Sequence, residues 1–252
     1  KYWPPPKPKV IGVDLGTTYS CAAYHSMLNE YELVTVQRGK ACIPSVVAYV
    51  DGGRPLVGYD ALDMMGDPTA DVIYDAKRFI GRVFDARSLA DECRHYRFTV
   101  VLNETGHAFF RLRDGSLRSP EDVGSEILRE LKTAVERSVG RRMSACVMSV
   151  PAEFNADQRS ATERCATSAA LNLAVWRVIN EPTAAALAYG LHHKSHAEPV
   201  NVIVIDVGGG TTDVSLMRAE RAMFLTIAMA GHRRLRSGLY REPDGAGGGA
   251  WV

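Results

Sequence analysis

The 252-residue chain lacks any uninterrupted apolar run of roughly 18 residues, so it offers no membrane-spanning helix. It also lacks a G-x-x-x-x-G-K-[ST] segment, which removes the P-loop class of nucleotide-binding protein. Its five cysteines, Cys21, Cys42, Cys93, Cys146 and Cys165, are odd in number and include no C-x-x-C, so neither a zinc site nor a disulfide framework is indicated. They are expected to be mostly buried small apolar residues. An excess of one charge is missing too: 30 Lys plus Arg against 29 Asp plus Glu leave +1, which gives no electrostatic footprint for nucleic acid or an acidic membrane.

What is present is an ordinary globular balance, 46% apolar and 23% charged, long enough for one large or two small cores. Residues 1–9 form a proline-rich lead, stiff and extended rather than a signal peptide. The chain begins at Lys1 rather than Met, so no compartment is read from its start.

Two segments share one design. Val10 to Asp14 is a short apolar run closed by Gly16, Thr17 and Thr18, and Tyr19 to Tyr24 reads as a second strand. Far downstream, Val202 to Asp206 again ends in Asp, followed by Gly208, Gly209, Gly210, Thr211 and Thr212 and a strand from Asp213 to Leu216. Between them helix signals stand out. Ser119 as cap and Pro120 at the first turn open an apolar stripe through Val123, Ile127, Leu128, Leu131, Val135 and Val139, closed by Gly140. A buried strand (145–150), a helix opened by Asn155 with Gln158 as its capping partner, a strand near 175–179 and a helix from Pro182 through Tyr189 follow. Strands alternating with helices predict a layered α/β lobe. Residues 191–199, with His192, His193 and His196, have the polarity of a solvated linker, and no metal ligand is assigned there. The glycine-rich end, 233–252, has no period and is expected to be disordered.

The paired hairpins carry the chemistry. A triphosphate needs backbone N–H groups that approach closely, hydroxyls, and carboxylates to hold a hydrated Mg2+. Glycines admit the close approach, Thr17, Thr18 and Thr211 supply hydroxyls, and Asp14 and Asp206 stand at the strand ends. One such hairpin is as easily a plain tight turn; two on opposite halves of the chain point to phosphate.

Five segments, Val13 to Ser20, Asp75 to Gly81, Ser149 to Phe154, Val178 to Ala186 and Asp206 to Ser215, resemble the signature blocks of the Hsp70 ATPase domain, in that family's order and spacing. The resemblance covers about residues 9 to 232. It implies an actin-like, ribonuclease H-like α/β fold with duplicated β-hairpin phosphate loops and an incomplete second lobe. The divisions implied are a lead (1–9), a first lobe (10–194), part of a second lobe (195–232) and a divergent tail (233–252). Within the family the chain is similar to the microsomal stress-70 branch, which has a nucleotide-binding domain and no peptide-binding domain. That implies the endoplasmic reticulum, with the cytoplasm as alternative; the sequon Asn103-Glu104-Thr105 is compatible with a lumenal site.

Residue by residue, the resemblance assigns Gly16, Thr17, Thr18 and Tyr19 to the first phosphate loop and Gly209, Gly210 and Thr211 to the second. It sets Lys77 against the γ-phosphate and the attacking water. Asp14, Asp206 and Glu181 would hold Mg2+ through water, with Asp206 also orienting or deprotonating the nucleophilic water and Asp213 supporting the loop. Pro151 and Arg159 match the family's interdomain switch. ATP and ADP, co-chaperones and nucleotide exchange factors are the implied partners.

After Gly231 the resemblance fails, as His232-Arg233-Arg234-Leu235-Arg236 replaces the family's continuation. The expected consequences are a missing adenine-binding wall, weak or absent ATPase activity, and exposed edges on strands 202–206 and 213–217. Two readings result: an ATP-hydrolysing core, or a non-catalytic fragment that acts as an interaction module.

Overall fold

The computed structural model describes residues 9–25, 31–169, 171–189, 199–208, 212–220 and 223–232. The expected linker, its histidines and the tail lie outside these residues, Pro199 excepted, as do Gly209, Gly210 and Thr211.

In chain order the strands are β1 (Val10–Leu15), β2 (Tyr19–His25), β3 (Tyr31–Leu33), β4 (Ile43–Pro44), β5 (Val46–Val50), β6 (Leu56–Val57) and β7 (Ala70–Tyr74). They continue as β8 (Thr99–Leu102), β9 (Ala108–Arg111), β10 (Leu117–Arg118), β11 (Ala145–Val150), β12 (Ala174–Asn180), β13 (Val200–Val207), β14 (Thr212–Glu220) and β15 (Met223–His232). The helices are α1 (Tyr59–Leu62), α2 (Ala86–Cys93), α3 (Pro120–Val139), α4 (Ala156–Thr167) and α5 (Glu181–Ala188).

The main sheet runs β12-β11-β1-β2-β3, with β4 also paired to β2. Strands β1, β11 and β12 are parallel, whereas β1 to β3 form antiparallel pairs. Period-2 alternation divides β1: Ile11, Val13 and Leu15 are buried, while Gly12 and Asp14 face the open side. Helix α3 packs on β1 and β2. Its ends follow the sequence signals: the Ser119 hydroxyl accepts from the Asp122 N–H, the Asp122 carboxylate accepts from the Ser119 N–H, and Gly140 closes the helix at φ 67°. Helix α4 opens on the expected pair, Asn155 with Gln158, and packs on β11 and β12.

The structure corrects two expectations and fills one region that the sequence left unread. Strand β14 is central, paired with β13 on one side and β15 on the other, so 213–217 is not an edge. Residues 223–232 pair back along β14 as a third strand, a partner that no local period announces. What this sheet exposes is a face rather than a central edge: Ile203, Ile205 and Val207 on β13 and Leu225 on β15 are each more than 60% exposed. Nor are the cysteines mostly buried; Cys146 and Cys165 are, Cys21 and Cys93 are half-buried, and Cys42 is exposed. Finally, residues 31–118 hold eight short strands, β3 to β10, that carried no readable signal, their runs being two to five residues long.

Candidate functional site

The turn between β1 and β2 is built around Gly16. A Cβ there would lie 2.1 Å from the Tyr19 carbonyl oxygen, a backbone atom that cannot swing aside. Ser45, which precedes β5, holds the turn from outside: its N–H donates to the Thr18 carbonyl and its hydroxyl to the Gly16 carbonyl, both at 2.8 Å. Thr18 is buried and Tyr19 is 40% exposed. A Gly16→Ala change is expected to displace this turn and weaken Mg·ATP binding at least about tenfold, measured by calorimetry. Unchanged affinity would show that the turn does not approach phosphate.

Asp14 ends β1 opposite Ser149 of β11 and Cys21 of β2. The Ser149 hydroxyl donates to Asp14 Oδ1 at 3.2 Å. Cleft water reaches Asp14, but protein surrounds it on its other sides; this enclosure pushes its carboxyl above the ordinary value. Lys77 and Ser149 oppose that rise and Glu181 adds to it.

Lys77 arrives on the short helical turn 76–78 that follows β7. Asp75 at the head of the turn is left-handed (φ 56°), accepts from the Tyr96 hydroxyl at 3.1 Å and pairs with Arg78 at 3.3 Å. Phe79 behind it is buried among Phe84, Tyr96 and Phe110. This anchor points Lys77 inward, so its side chain is 8% exposed, and its Nζ donates to Glu181 Oε1 at 2.8 Å. The ammonium also lies 5.7 Å from the centre of the Phe154 ring. Burial alone would lower the pKa of Lys77, but Glu181, Asp14 and Asp206 together hold it above the ordinary lysine value.

Glu181 is the first residue of α5, with Pro182 next. Arg159 organises the backbone in front of it, donating to the Phe154 and Ala152 carbonyls at 2.9 and 3.2 Å and to Asn180 Oδ1 at 2.8 Å. Pro151, Glu181 and Asp206 line one cavity of about 100 Å³, together with Glu153, Asp213 and Gly231. Asp206 and Asp213 stand opposite each other across β13 and β14. Burial, then Glu181, Asp14 and Asp213, push the Asp206 carboxyl upward, against Lys77.

Of the residues singled out in the sequence, Asp14, Lys77, Glu181 and Asp206 meet in one electrostatic cluster, with Gly16 and Thr17 lining a small cavity beside Lys77. Four further residues were given no role by the sequence, although Ser149 and Phe154 bound one of the signature blocks. Ser149 and Ser45 are ordinary strand and turn serines until the sheet is paired. Phe154 acts through its ring, and Gly231 leaves room for Asp213, since a Cβ there would lie 2.3 Å from Asp213 Oδ1.

The donor set suits a hydrated divalent cation. Asp14, Glu181 and Asp206 share one lysine, which leaves excess negative charge, and the two aspartates are held above their ordinary values partly by neighbouring carboxylates. No group of three or more His, Cys, Asp or Glu placed to hold a metal directly occurs among the described residues. Carboxylates of this kind can hold a cation through its water shell.

Comparison with known proteins gives the family. The family model described as Hsp70 protein matches residues 10–237, past the end of the sequence resemblance near residue 232. Heat shock 70 kDa protein 13 of Rattus norvegicus and of Homo sapiens are each 44% identical over 238 residues, covering 93% of this chain and 49% of the relative. Heat shock 70 kDa protein BIP3 of Oryza sativa subsp. japonica is 40% identical over 230 residues, covering 90% of this chain and 34% of the relative. The chain spans about half the length of the first of these relatives. With the doubled hairpin and the cluster between its halves in place, the match over most of the sequence has one meaning: the chain belongs to the Hsp70 protein family, chaperone-class proteins of actin-like α/β fold that bind ATP, usually with Mg2+.

Proposed function

We propose that the chain is an ATP-binding, ATP-hydrolysing Hsp70-type core, of the stress-70 kind that works without a peptide-binding domain. The observation that carries this reading is the position of Lys77, buried beside the first hairpin and paired with Glu181 among carboxylates from both hairpins.

In this reading residues 10–194 form the first lobe and 195–232 part of the second. Backbone N–H groups of Gly16 to Tyr19 and of Gly209 to Thr211 bind the phosphates. Lys77 releases part of its hold on Glu181 and directs its ammonium at the γ-phosphate, where a point charge favours the developing anion. Asp206 orients the attacking water and accepts its proton, and Asp14 and Glu181 keep water-bound contacts beside it. Asp14, Asp206 and Glu181 would hold Mg2+ through its water, and the ion would supply charge neutralisation. Since phosphoryl transfer is mostly positioning and electrostatics, no protein nucleophile is required. Pro151 and Arg159, which join the cleft loop to the strand end before Glu181, form the switch toward a neighbouring domain. Co-chaperones and exchange factors are the protein partners in this reading. The endoplasmic reticulum is the proposed compartment, supported by similarity to heat shock 70 kDa protein 13 and a BIP-named relative, with the cytoplasm as alternative.

The test is calorimetry of Mg·ATP with phosphate release, on the native chain and Asp206→Asn. Micromolar binding that Asp206→Asn weakens at least about tenfold supports the reading. The affinity should also fall as the solution is acidified: Asp14 and Asp206 titrate above the ordinary range, so protons compete with the cation earlier than at an exposed aspartate.

A second reading, a non-catalytic interaction module, is favoured by the uncovered apolar face of β13 and β15. A well-folded chain that gives no heat up to millimolar Mg·ATP would sink the enzyme reading and leave this one.

A further inference from the structure

The sequence places Cys21 and Cys42 in different segments, and the fold brings them to one ladder, Cys21 on β2 and Cys42 directly before β4. Strands β2 and β4 pair antiparallel with Tyr19 against Pro44 and Ser20 against Ile43, so the next pair in the same register is Cys21 against Cys42. The bonding phase of this ladder is also settled. The Ser45 N–H donates to the Thr18 carbonyl, which makes that opposed pair a hydrogen-bonded one. Bonded and non-bonded pairs alternate along an antiparallel ladder, so Ser20 and Ile43 are bonded and Cys21 and Cys42 are not. A non-bonded pair brings opposite Cα atoms to about 4.5 Å, with side chains on the same face, inside the range a disulfide needs. The two thiols share a hydrogen bond, and both are free.

We propose that Cys21 and Cys42 are a modification site: a dithiol that closes to a reversible cross-strand disulfide, stapling β2 to β4 beside the first phosphate-type turn. The oxidant is a low-molecular-weight disulfide such as oxidised glutathione. Cys42, the exposed partner, loses its proton and attacks one sulfur of that disulfide; its S–S bond breaks and one thiolate leaves. Cys21 then gives up its proton and attacks the Cys42 sulfur, expelling the second thiolate. The two protons lost by the cysteines end on the two released thiols, and two electrons pass from the protein to the oxidant. Cys93, Cys146 and Cys165 are not part of this register, and the last two are buried away from any oxidant.

The test is peptide mapping of the full chain after equilibration with oxidised glutathione and alkylation of remaining thiols. The expected product is a linked pair of peptides holding Cys21 and Cys42. Two thiols per chain disappear together, and the thermal midpoint rises by about 5 °C, lost again on reduction. In Cys21→Ser, Cys42 should stop at the mixed disulfide with glutathione; in Cys42→Ser, Cys21 should stay free. The proposal is overturned if native Cys42 accumulates the mixed disulfide to the same level as in Cys21→Ser, or if it cross-links two chains while Cys21 remains alkylatable. Mapping needs no bound nucleotide, so the result is independent of the reading of the cleft.

Discussion

Replacing Lys77 by alanine is expected to cut phosphate release about a hundredfold and to leave Mg·ATP binding too weak for calorimetry. It should also destabilise the chain in the absence of nucleotide, by about 2 kcal/mol in urea unfolding. The reason is the asymmetry of a buried ion pair: removing one partner strands the other, and here Glu181, 18% exposed, loses a 2.8 Å donor while Asp14 and Asp206 lose their nearest cation. Coupling Glu181→Gln to Lys77→Ala separates the two roles. The double variant should recover part of the lost stability, since Glu181 no longer strands a buried charge while Asp14 and Asp206 still lack their cation, yet none of the phosphate release. If both quantities came back together, Lys77 would be a structural lysine. If Lys77→Ala changed neither, the pairing seen across the cleft would have no consequence in solution.

Phe79→Ala is expected to cost about 3–5 kcal/mol, a large part of the stability of a domain this size. Phe79 is 1% exposed and lies 5.5–5.8 Å, centre to centre, from the rings of Phe84, Tyr96 and Phe110. Four rings packed together, Phe110 edge-on to Phe79 and Phe84 and Tyr96 tilted against it, leave little freedom to collapse into the space a benzyl group vacates. The loss should reach the cleft as well, because Phe79 follows the turn that aims Lys77. A denaturant midpoint and an Mg·ATP titration on the same protein check both effects. A loss of stability under about 1 kcal/mol would mean that the aromatic cluster repacks and is not what holds the lysine. Phe79→Leu, which keeps most of the volume, should retain both properties far better.

Capping, helix stripes and the glycine turns were determined by sequence alone, because each depends on residues within four positions of one another. Ser119 with Asp122, Asn155 with Gln158, Gly140 at the end of α3 and the Gly16 turn are local contests between backbone and side chain, and the winners are written in residue type. The carboxylates at the strand ends were legible for the same reason, and the family resemblance named Lys77 and Glu181. Tertiary structure alone decided which of these groups meet. Lys77 and Glu181 are 104 positions apart, Ser149 and Asp14 are 135, and the register that brings Cys42 toward Cys21 exists only because β4 folds against β2. A strand's period of two says which residues share a face, but not which strand will lie beside it; that choice comes from the order in which the sheet assembles and from what its faces bury. For the same reason β15 was invisible until β14 had a second edge to pair, and a cysteine count could exclude a disulfide framework while missing the one opposed pair.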